Sequence, residues 1–201
     1  MKTYILAIIA ISFFLLHGCK QSEKDEEKAT TKAIPQEQLI AKIGMLQDSA
    51  KAAWSLMMQT DDQKISFVKR LLDEVSYMPK YDILVHERLV QNCKKLKAKR
   101  FDENSFLQSR NIDSYDSATD SLLKEVKLLV LSIPNVENYP LCGELLNDIT
   151  ALDNDVVLHR VKYDAWAMQY NQIIDEQREA IAQMGSQYAN LKKMGLFQLG
   201  Q

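Results

Sequence analysis

The sequence predicts an all-α protein, an antiparallel up-down bundle of about four long helices with coiled-coil-like packing. Three observations carry this. From Pro35 to about residue 175, apolar residues recur in alternating steps of three and four, the spacing that lines one face of a helix. Most breaks between these runs are short, and short connections force neighbouring helices antiparallel. No stretch alternates apolar and polar residues with the period of two that a half-buried strand needs. The 201 residues are 46% apolar with only six Gly and four Pro, which suits one domain with a real core and excludes collagenous or low-complexity chains. Against 27 acidic residues there are 25 basic ones, so the chain lacks the basic excess of a nucleic-acid binder.

The first element is a leader. Lys2 precedes an uncharged, mostly apolar run from Tyr4 to Leu16, too short for a bilayer-spanning helix of roughly 20 residues and suited to a signal-peptide core. The run ends in Leu16-His17-Gly18-Cys19, which resembles the bacterial lipobox, with His17 in place of the usual small residue. That resemblance implies cleavage after Gly18 and a lipid, palmitate among its acyl chains, carried on Cys19 as a membrane anchor. The division expected is a signal peptide over 1–18, the lipidated Cys19 with a charged tether over 19–34, and a helical bundle over 35–201. Lys20, Glu23, Lys24, Asp25, Glu26, Glu27, Lys28 and Lys32 leave the tether too little apolar surface to order itself.

Within the bundle, Pro35 suits a first helical turn, and Leu39, Ile43, Leu46, Ala50, Ala53 and Met57 form the first stripe. Thr60-Asp61-Asp62-Gln63 has the form of a capping box, so the first helix is expected to end near residue 59 and a second to start at once. The second carries Ile65, Val68, Leu72 and Val75, breaks near Met78 ahead of Pro79, and resumes at Val85, Leu89, Cys93 and Leu96. Residues 102–117 read as polar and turn-forming. A third helix runs through Leu122, Val126, Leu129 and Ile133 to Pro134. The last repeats the seam at Leu145, Ile149, Leu152, Val156, His159, Tyr163, Trp166, Tyr170 and Ile173.

Val136-Glu137-Asn138-Tyr139-Pro140, then Asp153-Asn154, Arg160, Tyr163-Asp164 and Tyr170-Asn171, resemble the C-terminal half of the LemA family, whose ENYP turn precedes a long helix. The Ala53-Trp54 pair extends the resemblance into the first helix, over roughly residues 39–175. Asp153 and Asp164 stand where the family has Glu and Asn, and the family's Arg-rich stretch and closing Phe-Pro are missing. The resemblance implies a membrane-attached helical bundle facing away from the cytoplasm and supplies no defined enzymatic activity. Its motif residues here are Trp54, Tyr139, Pro140, Asn154, Arg160, Tyr163, Tyr170 and Asn171, expected to serve packing and buried hydrogen bonds before any ligand.

No pattern identifies a reaction, so a non-enzyme without cofactor or metal is expected. His86-Glu87-Arg88-Leu89-Val90 begins like a zinc motif, yet Val90 replaces the second histidine. Asp113 and Asp116, and Asp153 and Asp155, lack the Gly and final Glu of a calcium loop. Neither phosphate-cradling glycine motif occurs, nor a G-x-S-x-G elbow. Cys93 and Cys142 are expected as free thiols at opposite ends of the bundle. Lys94, Lys95, Lys97, Lys99 and Arg100, ending helix two at the level where the tether enters, are expected to lie near anionic headgroups. The function expected is a lipid-anchored scaffold or interaction protein of the cell envelope, with other envelope proteins as partners and no nucleic acid. The alternative is a small-ligand module with a pocket near Tyr163, Trp166 and Tyr170, with His159 beside them.

Overall fold

The computed structural model describes residues 34–197, so the leader, Cys19 and nearly all of the tether lie outside the described residues. Ala33–Gln201 is a compact unit and holds both hydrophobic cores. The elements are α1 (Gln36–Ser76), α2 (Ile83–Lys99), α3 (Ser109–Leu131), α4 (Pro140–Glu176) and two short helices, α5 (Arg178–Gln183) and α6 (Ser186–Ala189). Single 3₁₀ turns precede α3 (Ser105–Leu107) and α4 (Val136–Asn138). No strand occurs among the described residues, and the chain is an all-α helical bundle with four long helices.

Two helices dominate. α1 has 41 residues and α4 has 37, so α1 runs about 60 Å at 1.5 Å per residue. They lie antiparallel, in a register set by Gln47 opposite Tyr170, Trp54 against Tyr163 and Lys64 against Asp153. α2 and α3 form a shorter antiparallel pair beside the second half of α1, where Arg88 meets Glu125. The main core gathers Leu71, Leu72, Val75, Leu89, Leu96, Leu122, Val126, Leu129, Leu145 and Val156 from all four helices. The other halves of α1 and α4 continue as a two-helix extension. There Leu39, Ile43 and Leu46 pack on Tyr170, Ile173 and Ile174, closed by Ile181 and Met184.

The expected helix end near residue 59 is wrong: α1 runs unbroken through Thr60-Asp61-Asp62-Gln63. A capping residue must turn its side-chain oxygen onto nearby backbone amides. Asp61 is only 3% exposed, and its carboxylate is taken by Lys64 at 3.0 Å, Arg100 at 3.2 Å and the Tyr115 hydroxyl at 2.5 Å. The buried stripe therefore passes from Met57 through Thr60, Asp61 and Lys64 to Val68 without losing phase. The break at Pro79 is present: α1 ends at Ser76, and Asp82 caps α2 by accepting from the Val85 amide at 3.0 Å.

α3 starts at Ser109, inside the stretch expected to be loop, and stops at Leu131, before Pro134. Asn135 takes the left-handed conformation (φ 56°) that turns the chain toward α4, and Pro140 occupies the first turn of α4, where a missing amide costs nothing. Cys93 and Cys142 are buried and unbridged. Cys93 sits by the Ile65 carbonyl, and Cys142 lies within electrostatic reach of Glu74. Nine residues of α1, about 14 Å, therefore separate their levels, not the full bundle length expected.

Candidate functional site

The half-way point of α1 and α4 is where most of the distinctive chemistry meets. Trp54 of α1 touches Phe101, Phe106, Tyr163 and Phe197, with ring centroids 5.0 to 6.2 Å apart. Most pairs are tilted or edge-on, the arrangement favoured by the ring quadrupoles. Arg160 closes one side: its guanidinium lies 5.5 and 5.2 Å from the Phe101 and Phe197 rings, and it donates twice, at 2.7 Å each, to Asp116 of α3. A 5%-exposed guanidinium thus has a bidentate carboxylate at one edge and aromatic faces beside it, the pairing that offsets its lost hydration. Burial, with Asp164 and Glu103 nearby, pushes the Tyr163 hydroxyl up to about 12.

The segment Leu191–Phe197 forms a strap that returns along the α1–α4 pair. Asn171 holds it with both ends of its amide, donating to the Met194 carbonyl at 2.8 Å and accepting from the Met194 amide at 2.7 Å. Asp164, seven residues earlier on α4, accepts from the Phe197 amide at 2.8 Å. Two α4 side chains thereby satisfy backbone that no helix or strand pairs. Gly195 permits the crossing, because a Cβ there would sit 2.9 Å from the Phe106 ring and collide with Leu107.

Beside the strap is a recess of about 360 Å³, lined by Gln47, Lys51, Trp54, Phe106, Tyr163 and Lys193. Of the expected pocket residues only Tyr163 reaches it. Trp166 is half-buried between the two cores, His159 is half-buried without lining the recess, and Tyr170 is turned inward, accepting weakly from Gln47 at 3.4 Å. Tyr163, Trp166 and Tyr170, at i, i+3 and i+7, share one face of α4, and that face is taken up by the two cores rather than by the recess. Among the motif residues, Trp54, Arg160, Tyr163 and Tyr170 are buried, Tyr139 and Asn171 are half-buried, and Pro140 and Asn154 are exposed. Sequence reasoning missed Asp116 as a partner and Phe101, Phe106 and Phe197 altogether. They lie in turns or past the last periodic run, where no spacing marks a buried ring.

The second constellation is ionic. Lys64, 3% exposed, bridges Asp61 at 3.0 Å and Asp153 at 2.9 Å, and Arg100 bridges Asp61 at 3.2 Å and Asp62 at 3.0 Å. Burial raises the Asp62 carboxyl, but hydrogen bonding and charge from Arg100 and Lys97 outweigh it and leave the group below the ordinary carboxylate range. Burial opposes the charged form of Arg100, yet Asp61 and Asp62 hold it above its ordinary value.

This corrects the expected placement of Lys94, Lys95, Lys97, Lys99 and Arg100. Because α1 does not stop at residue 59, α2 ends beside Asp61 and Asp62, about three-fifths of the way along α1 and some 37 Å from its start. The topological ground for setting these five residues level with the tether is therefore gone. They also divide. Arg100 and Lys97 pair with Asp62, Lys94 lines a groove between α1 and α2, and Lys95 and Lys99 line another between α2 and α3.

His86 donates through Nε2 to the Leu72 carbonyl at 2.8 Å and stacks edge-on to Tyr81, a structural role. Among the described residues no three His, Cys, Asp or Glu side chains gather as a metal site, and no helix is long and apolar enough to cross a membrane. No family model, curated protein or solved structure matches the chain.

Proposed function

We propose that the chain is a divergent LemA-type lipoprotein of the bacterial cell envelope, held to the membrane through Cys19 and acting as a non-catalytic scaffold for other envelope proteins. One observation carries this reading: most of the motif side chains are committed to contacts inside their own chain. Arg160 is held by Asp116, Asn171 by Met194, and Trp54 and Tyr163 by the aromatic junction. Side chains so committed support a shape and leave partner recognition to the surface. The lipobox-like Leu16-His17-Gly18-Cys19 is the ground for the anchor. Labelling cells with a fatty acid tests it: wild type takes up label and fractionates with membranes, and Cys19→Ala does neither, because stable attachment needs two or more acyl chains. Equal labelling of the variant would overturn the anchor.

A second reading, a small-ligand module, is favoured by the recess beside Trp54 and Tyr163, where Gln47, Lys51 and Lys193 ring an aromatic floor. Crosslinking in the native envelope separates the two, since a scaffold yields protein adducts and a ligand module does not require them.

A further inference from the structure

We infer that the groove between α2 and α3 is a binding site for a phosphate group, built from Lys95 and Lys99 with Asn92 and Ser121. The inference stands independently of the anchoring proposed above.

The groove has a volume of about 220 Å³, roughly seven times the share of one liquid water. Leu96, Leu122 and Ala118 form its floor. Asn92, Lys95 and Lys99 recur on α2 in steps of three and four and so share one face. Against them α3 presents Ser121 and Ala118, small side chains that leave the space open. Two like charges one turn apart repel each other, and the usual remedy is an acid opposite. About two turns earlier on the same seam that remedy is present, Arg88 meeting Glu125 at 2.7 Å. At Lys95 and Lys99 it is missing: neither has an ion pair or hydrogen bond among the described residues. The other acids of α3, Asp113, Asp116 and Asp120, do not line the groove, and Asp116 is committed to Arg160.

The donor set selects the ligand. Arginine suits planar carboxylates, and Arg88 and Arg100, in the first half of α2 and at its end, are both paired with carboxylates, each through one nitrogen. What remains in the groove is two flexible ammonium groups, one amide and one hydroxyl, four separate donors suited to the several oxygens of a tetrahedral anion. A lipid phosphodiester and a free phosphate share that chemistry, and the test distinguishes them.

The protein tested is residues 33–201, the compact unit holding both cores. Inorganic phosphate is titrated by calorimetry at low salt, and vesicles of phosphatidylglycerol or of phosphatidylcholine are tested by co-sedimentation. The variants are Lys95→Gln/Lys99→Gln, the charge-matched Lys69→Gln/Lys94→Gln on the α1–α2 side, and Ser121→Leu, which fills the groove without altering charge. Circular dichroism confirms that each is folded. The expected result is binding of phosphate, or of phosphatidylglycerol but not phosphatidylcholine vesicles. It is weakened about tenfold or more by Lys95→Gln/Lys99→Gln and by Ser121→Leu, and less than about twofold by Lys69→Gln/Lys94→Gln. Binding of free phosphate assigns the site to a soluble ligand, and binding of phosphatidylglycerol vesicles alone assigns it to a headgroup. Absence of both, or equal loss in the two charge-matched double variants, or retention in Ser121→Leu, overturns the site.

Discussion

Asp61 shows how much one side chain decides in this protein. It stands in a polar tetrad that reads as a helix start, yet it is buried and holds Lys64, Arg100 and Tyr115 at once. A buried carboxylate with three donors is weak evidence for net stabilisation, because desolvation offsets much of the attraction. Removing it is another matter, since Lys64 stays buried with only Asp153 and Tyr115 loses its acceptor. Asp61→Ala is therefore expected to cost about 3 to 5 kcal/mol in urea unfolding of the chain. A loss below about 1 kcal/mol would show that the cluster is wet and loosely paired. Arg160 is the contrasting case: family resemblance singled out the residue, but its partner Asp116 belongs to α3 and has no counterpart in the motif.

At the level of elements, the helices divide into those set by local chemistry and those set by neighbours. The end of α1 near Pro79 and the start of α4 at Tyr139-Pro140 were both legible, because a residue without an amide hydrogen constrains helix geometry on its own. The first half of α3 was not legible: Ser109–Ser117 is rich in residues that favour turns, and it becomes helical where Tyr115 and Thr119 are drawn inward against α1. The strap was invisible for a related reason, as its order depends on Asp164 and Asn171 of α4. Asn171→Ala removes two hydrogen bonds to backbone that has no substitute partner, at about 1 to 3 kcal/mol if the freed groups stay buried and less if the strap lifts into water. Limited proteolysis distinguishes the variant: cleavage within residues 185–197 should accelerate in Asn171→Ala while α1 to α4 stay intact. Unchanged cleavage would mean that Phe197 packing alone holds the strap.

For the whole molecule, the expected four-helix bundle is present, but its helices are unequal. α2 and α3 accompany only part of the α1–α4 pair, and this governs the cysteines as well as the basic residues. Burial pushes both the Cys93 and Cys142 thiols up, so neither is a ready thiolate, and their levels on α1 exceed the roughly 7 Å that a disulfide spans between Cα atoms. Both should react with a thiol reagent only on unfolding, and the intact mass of residues 33–201 should not change on reduction. A gain of about 2 Da on reduction, the two hydrogens of one reduced disulfide, would contradict this topology.

By itself the sequence determined the helical class, most of the inward face of each long helix, the position of the proline-bounded turns and the burial of Tyr163 and Tyr170. These follow from 3.6-residue periodicity and from proline chemistry, which act within a few residues of themselves. Only the tertiary structure decided that α1 passes through residues 60–63, that Arg160 pairs with Asp116, that Phe197 closes on Trp54 and that α2 ends beside Asp61, well short of the start of α1. Each of those outcomes is a pairing between residues dozens of positions apart, where a buried charge or ring takes the partner that folding brings to it, and no local spacing encodes that choice.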